Sequence, residues 1–519
     1  MITDSEERVE LARLNLLAGR KAMSSIAYTA ALMYLNAGIA LLPDDAWMHH
    51  YPLTLALHHS RLDAAYFNTK FEELEEWCEL VLQQATSVHD RIKAYEVLVQ
   101  VRIAQDRQVE AIQIGLDALS QLQVSLVSID LSDRSSLDQL PRLETFPVIS
   151  DMVDPAYRAA LRMLATITPP VHHVKPDLYP SVALTMLHLC LEHGHSSDAA
   201  FVYSCYSVLC WAVVGDLDLA YRACQVGLKL LEYYPDKAVS CKVYMIFGVF
   251  ICACKEPSTV SLSFLRQAIQ VGQDVGDLEH VSYSMMAEAS FLPFLEDNLD
   301  SVLDKQIQYL RFLKKAKQKH ILDYLNIWHD LVLCLTGSLS SDNDLLSNRL
   351  EDAEFLAYLQ STHNHQSLFG LHLAKTVASY LFKQPEFAVA QALEAAKYAD
   401  GAFGFLLVAT HNFYTSLALL AQYYACAEHE QAQTLQTVEQ NQQQMSYWAS
   451  CAPSNFQHKY DLVEAEKSRI IGDFTQAIVG YDRAISGAKA NGYILEEAHA
   501  NELAAKFYLN WGKEKVAAS

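Results

Sequence analysis

Proline and glycine are both scarce in this sequence, with 14 prolines and 18 glycines among 519 residues. Runs of alternating β-branched residues bounded by Asn-Gly or Asp-Gly turns, which are typical of β-hairpins, are missing as well. Alanine, leucine, glutamine and glutamate are plentiful, and these side chains lose little rotamer freedom in a helix. Because 51% of the residues are hydrophobic, a large core is expected and wholesale disorder is excluded. The composition therefore predicts an all-α fold.

Basic residues are also few, since 39 lysines and arginines face 61 aspartates and glutamates, for a net charge of −22. A nucleic-acid-binding protein needs a basic surface to displace phosphate counterions, so no nucleic-acid partner is expected. The most apolar stretch, MIFGVFICAC at 245–254, has ten residues, whereas about 20 are needed to cross a bilayer. The acidic start, MITDSEERVE, is the reverse of a secretory signal. The sequence predicts no membrane span and a cytoplasmic location.

Motifs of catalysis are absent from the sequence. It has no phosphate-binding loop of the G-x-x-x-x-G-K-[ST] type, no kinase motif set, no G-x-S-x-G and no H-E-x-x-H. The 11 cysteines lie mainly within apolar helical stretches, and several of the 20 histidines are adjacent pairs. Neighbouring residues in a helix point in different directions, which is poor geometry for a metal site. We expect no catalytic residue, metal or cofactor, and an all-helical metalloenzyme is the remote alternative.

A short pattern of small residues recurs along the chain and indicates repeated helical hairpins. Glycine permits the turn between two antiparallel helices, small residues let the helices approach closely, and a larger residue fills the gap between pairs. Weaker copies occur at 31–43 and 106–118. The sequence thus predicts an α-solenoid of TPR-like antiparallel helical hairpins, forming a curved, elongated particle. The two clearest copies are Gly215, Ala220, Cys224, Gly227 and Gly472, Ala477, Tyr481, Ala484.

Prolines concentrate in one part of the chain, where residues 141–180 hold seven of the 14. Proline lacks a backbone donor and pushes the preceding residue out of helical conformation, so regular stacking is expected to break there. We therefore predict an N-terminal helical-repeat lobe at 1–140, a Pro-rich junction at 141–180, and a C-terminal TPR-like array at 181–519.

The C-terminal stretch matches the first part of the hairpin about forty residues before it. The last copy stops just inside its second helix, so the array is predicted to be truncated in its last hairpin. Solenoids normally close with a polar capping helix. We expect the chain to be a segment of something longer; the alternative is a stand-alone TPR-like adaptor that forms a homodimer through this hairpin. The matched residues are Ala465, Ser468, Gly472, Ala477 and Ala505, Tyr508, Gly512, Ala517.

Candidate binding residues follow from the geometry of stacked hairpins, in which the first helix of each pair lines the concave side. In the predicted helices at 458–471 and 498–510, that side carries mixed charge with apolar points at Leu462 and Leu509. Such a surface suits a protein or peptide partner, although an ordinary solvated helix face is the alternative. The candidate residues are Lys459, Glu466, Arg469, His499, Glu502 and Lys506.

Several longer stretches go beyond a generic helical repeat. They are LARLNLLAGRKAMSSIAYTAALMYLNAGIALLPDDAW (11–47), GDLEHVSYS (276–284), FYTSLALL (413–420), WASCAPSNFQHKYDLVEAEKSRIIGDFTQAIVGYDRAI (448–485) and NGYILEEAHANELAAKFYLNWGKEKVA (491–517). These stretches resemble the helical region of very large bacterial signalling proteins, well known in cyanobacteria. In that family, Ser/Thr-kinase-like and AAA-type ATPase modules precede the helical region, and GAF and sensor histidine kinase modules follow it.

This resemblance implies signal transduction, with the helical region as a non-catalytic sensing or coupling arm. The neighbouring ATPase, GAF and kinase modules would then be its partners within one chain. The parent protein would be an ATP-dependent protein kinase acting on histidine, Ser/Thr or both. The family's phosphate-binding loop, phosphoacceptor histidine box and ATP-lid glycines have no counterpart here, so no catalytic residue is carried over to this chain.

Overall fold

The computed structural model describes residues 4–129, 140–141, 150–337, 350–402 and 404–513. Within these ranges the chain forms 24 α-helices and no β-sheet, which confirms the all-α prediction. Successive helices pack as antiparallel neighbours, and about every second helix also contacts the helix after next. This arrangement is the α-solenoid of TPR-like hairpins that the sequence predicts.

The helices are numbered here in chain order. The first eight are α1 Ser5–Ser24, α2 Tyr28–Leu41, α3 Ala46–His49, α4 Tyr51–Phe67, α5 Phe71–Gln84, α6 Val88–Ala104, α7 Gln108–Gln121 and α8 Pro155–Val174. The next eight are α9 Tyr179–His193, α10 Ala199–Leu209, α11 Leu217–Tyr233, α12 Lys237–Ile246, α13 Ser258–Val275, α14 Leu278–Leu295, α15 Leu299–Lys315 and α16 Lys319–Leu335. The last eight are α17 Ala353–Ser361, α18 His365–Leu381, α19 Pro385–Ala396, α20 Phe405–Gln422, α21 Glu428–Cys451, α22 Pro453–Ile471, α23 Phe474–Ala490 and α24 Ile494–Asn510.

The first glycine of each clear copy of the repeated pattern lies in a turn between two helices, as predicted. Gly215 precedes α11 with a φ of 75°, and Gly472 ends α22 with a φ of 84°, so both are in the left-handed region. The alanines five positions later, Ala220 and Ala477, are completely buried between helices. A β-carbon built on Gly480 would lie 2.8 Å from the Ala465 β-carbon, so α22 and α23 cross at close range. The hairpin interpretation of these copies is confirmed.

Several other hairpin turns use a left-handed residue that is not glycine. Ile26, Thr69, Lys317 and Lys383 have φ angles of 59°, 55°, 55° and 63°. Each lies between two helices, at the position that Gly472 holds in its own hairpin. The helical repeat is therefore more regular in space than in sequence, because glycine marks only some of its turns.

The Pro-rich region contains a long helix, α8, with Pro169 and Pro170 inside it. Pro155 starts this helix, where its missing N–H costs nothing, and the helix contacts α6, α7 and α9. Proline therefore does not break the stacking at 155–174. Residues 142–149, which belong to the same predicted junction, lie outside the described residues. One hydrophobic core extends from Ile92 to Phe507, across that junction, and the division into two lobes stays a prediction.

The solenoid winds back onto itself, so that helices far apart in sequence touch. The Tyr358 hydroxyl lies 3.2 Å from an Asp106 carboxylate oxygen, 252 positions away. The Tyr447 hydroxyl donates to the Gly215 carbonyl over 3.2 Å, 232 positions away. Such contacts join helices from different parts of the superhelix, and cavities lie between them.

One stretch of the described chain, residues 237–254, is long and apolar enough to cross a membrane by length and composition. It has 18 residues and a mean hydropathy of 1.7. In the structure 72% of it is buried, and it continues from α12 through a π-helical turn and a 3₁₀ turn against α13. Burial of this kind is typical of a core segment.

Candidate binding groove

A groove with a volume of about 300 Å³ lies between α18, α20, α22 and α24. Both charged and apolar side chains line it. The residues that line it are Tyr380, Lys383, Pro385, Ala421, Glu466, Arg469, Leu503, Lys506, Phe507 and Asn510.

Helical spacing places the charged side chains on the groove. Glu466 and Arg469 are three residues apart on α22, and Glu502 and Lys506 are four apart on α24, so each pair shares one helix face. Lys383 comes from the left-handed turn between α18 and α19. Three separate hairpins thus contribute one charged wall.

Two ammonium groups share a single carboxylate on this wall. Lys383 Nζ lies 2.8 Å from Glu502 Oε1, and Lys506 Nζ lies 2.6 Å from the same oxygen. Burial tends to raise the pKa of Glu502, but the hydrogen bonds from both lysines outweigh it and lower this pKa to about 2. All three side chains are about half exposed, so the wall keeps one accessible surplus positive charge.

The Arg469 guanidinium is held in place by Glu466. Arg469 Nη2 donates to Glu466 Oε2 over 2.7 Å, and its Nε lies 3.2 Å from both carboxylate oxygens. The Tyr481 hydroxyl donates to the other carboxylate oxygen of Glu466, which is buried. Planar, bidentate pairing of this kind fixes the direction of an arginine side chain. The Glu466–Arg469 pair therefore forms a rigid, charge-paired part of the wall.

His499 contacts two side chains of the groove. Its Nε2 lies 2.8 Å from the Tyr380 hydroxyl, and its Nδ1 lies 3.5 Å from a Glu502 oxygen. Burial, with a smaller contribution from the charge of Lys383, lowers the pKa of His499 to about 4. The imidazole is therefore neutral near pH 7 and adds hydrogen bonding to the wall without adding charge.

The structure brings five of the six predicted site residues together and separates the sixth. Glu466, Arg469 and Lys506 line the groove, while Glu502 and His499 hold its charged wall. These five carry the binding prediction, which stays a prediction.

Lys459 is not on an accessible surface, because its side chain is buried and forms an ion pair with Glu496 beside His458. It lies seven residues before Glu466 on the same stripe of α22, but Tyr493 and Glu496 of the next hairpin cover it. The periodicity of one helix cannot reveal such a cover. For the same reason, the periodicity of the predicted helices could not reveal that Lys383 lies at the groove. This residue precedes those helices by a whole hairpin.

Metal-binding and redox chemistry find little support in the described part of the chain. No group of three or more His, Cys, Asp or Glu side chains there is arranged to hold a metal ion. All eleven cysteines are free thiols, eight of them buried. Burial raises the pKa of Cys224 to about 12, so this thiol is protonated and unreactive near pH 7.

Comparisons with known proteins give a distant relative and two structural likenesses. No protein-family model matches the chain. Hybrid signal transduction histidine kinase G of Dictyostelium discoideum is 19% identical over 376 residues. That match covers 65% of this chain but 11% of the kinase, so the chain spans about a tenth of the length of this relative.

Among solved structures, the chain is similar to a Rap protein complexed with competence and sporulation factor. The identity is 11%, the TM-score is 0.43, and the match covers 78% of this chain and 99% of the Rap chain. A circular tandem repeat protein is 9% identical with a TM-score of 0.15, over 99% of this chain and 98% of the other. Both TM-scores are below 0.5, so the fold assignment rests on the helices described above.

Proposed function

We propose that this chain is a non-catalytic, regulatory protein-interaction segment of a larger signalling protein. In this proposal, the groove between α18 and α24 binds an extended peptide segment that carries an acidic side chain next to an apolar one. The observation that carries the proposal is the convergence of Lys383 and Lys506 on the single carboxylate of Glu502.

The charge balance of the groove favours an acidic partner group. A partner carboxylate can accept hydrogen bonds from the two half-exposed lysines without displacing the Arg469–Glu466 pair. Charge-assisted hydrogen bonds of this kind are about twice as strong as neutral ones. Because the chain as a whole carries a net charge of −22, acidic segments are repelled elsewhere and directed to this local positive wall.

The apolar residues that line the groove favour an apolar side chain of the partner beside that acidic group. Leu503 and Pro385 line the groove with partly exposed apolar surface, and Phe507 lines it with a largely buried ring. A volume of about 300 Å³ accommodates one or two side chains of a peptide but not a folded domain. Extended peptides with alternating anchors fit such grooves, since each anchor fills its own pocket.

The signalling context is supported by the histidine kinase relative, with 19% identity over 376 residues. It is also supported by the family resemblance of the sequence. The proposal places this solenoid beside ATPase, GAF and histidine kinase modules of one parent chain, in the cytoplasm. A segment of one of those modules would be the peptide in the groove. A stand-alone adaptor, dimeric through its last hairpin, is the alternative, and residues 514–519 of that hairpin lie outside the described residues.

Fluorescence anisotropy tests the groove directly. Three pools of fluorescein-labelled nonapeptides, blocked at both ends, carry a fixed Leu and, two positions later, a fixed Glu, Gln or Lys. The Glu pool should bind best. Lys383→Glu and Lys506→Glu should each weaken that binding roughly tenfold or more, since each removes a charge-assisted hydrogen bond.

The matched control for these variants is Lys489→Glu. Lys489 is an exposed lysine on α23 outside the groove, so this variant has the same charge change and should bind as the wild type. Equal binding of all three pools, or equal weakening by all three variants, would refute the proposal. A Glu pool with a free C-terminal carboxylate separates recognition of the side chain from recognition of the chain end.

A further inference from the structure

A second cavity, called here the polar chamber, lies far from the groove, between the N-terminal hairpins and the middle of the solenoid. Its volume is about 230 Å³, and α4, α6, α8, α12 and the start of α14 form its walls. Its charged and titratable lining residues are Asp63, Lys93, Lys242, Asp277, Glu279 and His280. None of them lines the groove.

Four of these side chains form two pairs. Lys93 Nζ lies 2.6 Å from an Asp63 carboxylate oxygen. Asp277 caps the first turn of α14, where its Oδ1 accepts the backbone N–H of His280 over 3.0 Å and also lies 3.0 Å from His280 Nδ1. Because a carboxylate only accepts hydrogen bonds, His280 Nδ1 is the protonated ring nitrogen. The remaining polar atoms of the chamber therefore determine what it can bind.

Two acceptor atoms of the chamber residues lack a donor among the described residues. Glu279 Oε1 and His280 Nε2 are both buried and without a hydrogen-bond partner there. In the tautomer with hydrogen on Nδ1, the His280 ring presents a lone pair at Nε2. A buried polar atom without a partner destabilises the folded protein. A ligand that supplies N–H donors would give both atoms a hydrogen-bond partner.

The same cavity is also lined by a cation, Lys242 of α12. The Lys242 ammonium forms no ion pair with the described residues and lies 5.6 Å from the centroid of the Phe201 ring. Burial raises the pKa values of Asp277 and Glu279, and contacts with His280 and the charge of Lys242 oppose it. The net pKa of Asp277 is lowered to about 2, whereas that of Glu279 stays raised. Lys242 is therefore available to a carboxylate, as Glu279 and His280 are to an ammonium group.

We infer that the polar chamber binds a small zwitterion of the α-amino-acid type, with its ammonium group on Glu279 and His280 and its carboxylate on Lys242. A ligand with cationic groups alone is repelled by Lys93 and Lys242. A ligand with anionic groups alone is repelled by Asp63, Asp277 and Glu279. A molecule with both groups close together matches both kinds of lining residue, and a free amino acid has this chemistry.

The chamber also joins two parts of the solenoid. Tyr28 and Phe67 of the N-terminal hairpins stack with ring centroids 4.7 Å apart. Together they cover Gly276 at the turn before α14, where an added β-carbon would lie 2.0 Å from the Tyr28 oxygen. Tyr66 and Phe67 of α4 also line the chamber, so a ligand held between α12 and α14 would contact the N-terminal hairpins as well. Amino-acid binding would therefore stabilise the N-terminal hairpins against the centre of the solenoid.

Isothermal titration calorimetry on the full chain, with each proteinogenic amino acid in turn, tests the inference. At least one should bind with a saturable 1:1 heat and raise the melting temperature, whereas methylamine and acetate, which each carry half of the chemistry, should not. Absence of binding by every amino acid would overturn the inference, as would equal binding of methylamine or acetate.

Variants locate the binding. Glu279→Gln and Lys242→Met should each weaken it roughly tenfold or more, because each removes a charge-assisted hydrogen bond. Lys237→Met is the matched control, since Lys237 lies on the same helix but pairs at the surface with Asp274 over 3.3 Å. If Glu279→Gln fails to fold, Lys242→Met carries the test alone, because Lys242 is only partly buried. Binding that persists in Lys242→Met at wild-type strength places the amino acid elsewhere and refutes the site.

Discussion

The side chain of Asn455 accepts the backbone N–H of Ser258 over 2.9 Å, joining two residues 197 positions apart. Its Nδ2 donates to the carbonyls of Ala253 and Glu256 over 2.9 and 2.7 Å. The Tyr493 hydroxyl lies 3.0 Å from the same Asn455 oxygen. One completely buried amide thus satisfies three backbone groups at the end of the apolar 237–254 stretch and ties the C-terminal hairpins to it.

Asn455→Ala should lower the free energy of unfolding by about 3 kcal/mol or more, because it leaves several buried backbone groups without partners. Urea denaturation followed by circular dichroism measures this change. Asn501→Ala is the control, since Asn501 is exposed and bonds only within its own helix, to the Glu497 carbonyl. A change smaller than about 1 kcal/mol in Asn455→Ala would show that the two regions are held together by other contacts.

Removing one partner of the buried Lys459–Glu496 ion pair should destabilise the protein more than replacing both partners with apolar side chains. Burial lowers the pKa of Lys459, and the nearby Glu496 carboxylate opposes that shift. Lys459→Met should destabilise the protein by about 3–5 kcal/mol, because it leaves the Glu496 carboxylate buried with only His458 beside it. The double variant Lys459→Met/Glu496→Leu should recover most of that loss. If the double variant is less stable than the single one, the pair is a net source of stability. Unfolding midpoints in urea decide between these results.

Stability should fall as the pH drops from about 6.5 to about 4.5. Burial lowers the pKa values of His172, His329 and His499 to about 4 each. Their unfolded forms take up protons below about 6.5, so the stability from keeping them neutral is complete above that pH and is lost towards the folded pKa. One such shift is worth up to about 3 kcal/mol.

Urea unfolding at pH 7.0 and 5.0 measures this loss. The lowered carboxylate pKa values, such as about 2 for Glu502, act only below the ordinary range of Glu, so the histidines dominate this interval. His499→Gln should reduce the loss between the two pH values. His363→Gln, at an exposed position, should not. A stability that is equal at pH 7.0 and 5.0 would contradict the assignment of buried neutral histidines.

Ile26→Gly should stabilise the protein by about 1 kcal/mol. Ile26 has a φ of 59°, which is unfavourable for a β-branched side chain, and half of its surface is exposed, so little burial is lost. Ile494→Gly is the contrasting control, because Ile494 is also about half exposed but starts helix α24, where glycine is unfavourable. Thermal denaturation of both variants provides the comparison, and a lower melting temperature for Ile26→Gly would be incompatible with strain at this turn.

The sequence predicts the local architecture better than the long-range contacts. Gly215 and Gly472 reveal their hairpins because only glycine adopts their turn conformation at no cost. Ile26, Thr69 and Lys383 hold the same conformation without that signal, which made the repeat look irregular. Those turns could not be recognised from residue type alone.

In the candidate site, too, the local features were predicted and the long-range contacts were not. Glu502 and Lys506 were predicted because they share a face of one helix, and local spacing is sufficient for that. Lys383 and the burial of Lys459 depend on which hairpins meet in space. Such contacts are set by the winding of the superhelix, and no periodicity in a single sequence specifies them.

Charge reversal of the groove is the most direct measurement of its proposed role. In the double variant Lys383→Glu/Lys506→Glu, the wall carries three carboxylates where the wild type has two ammonium groups and one carboxylate. Anisotropy titrations with the blocked peptide pools should then show the preference moving from the Glu pool to the Lys pool. If the double variant and the wild type select the same pool, the groove is not the peptide-binding site.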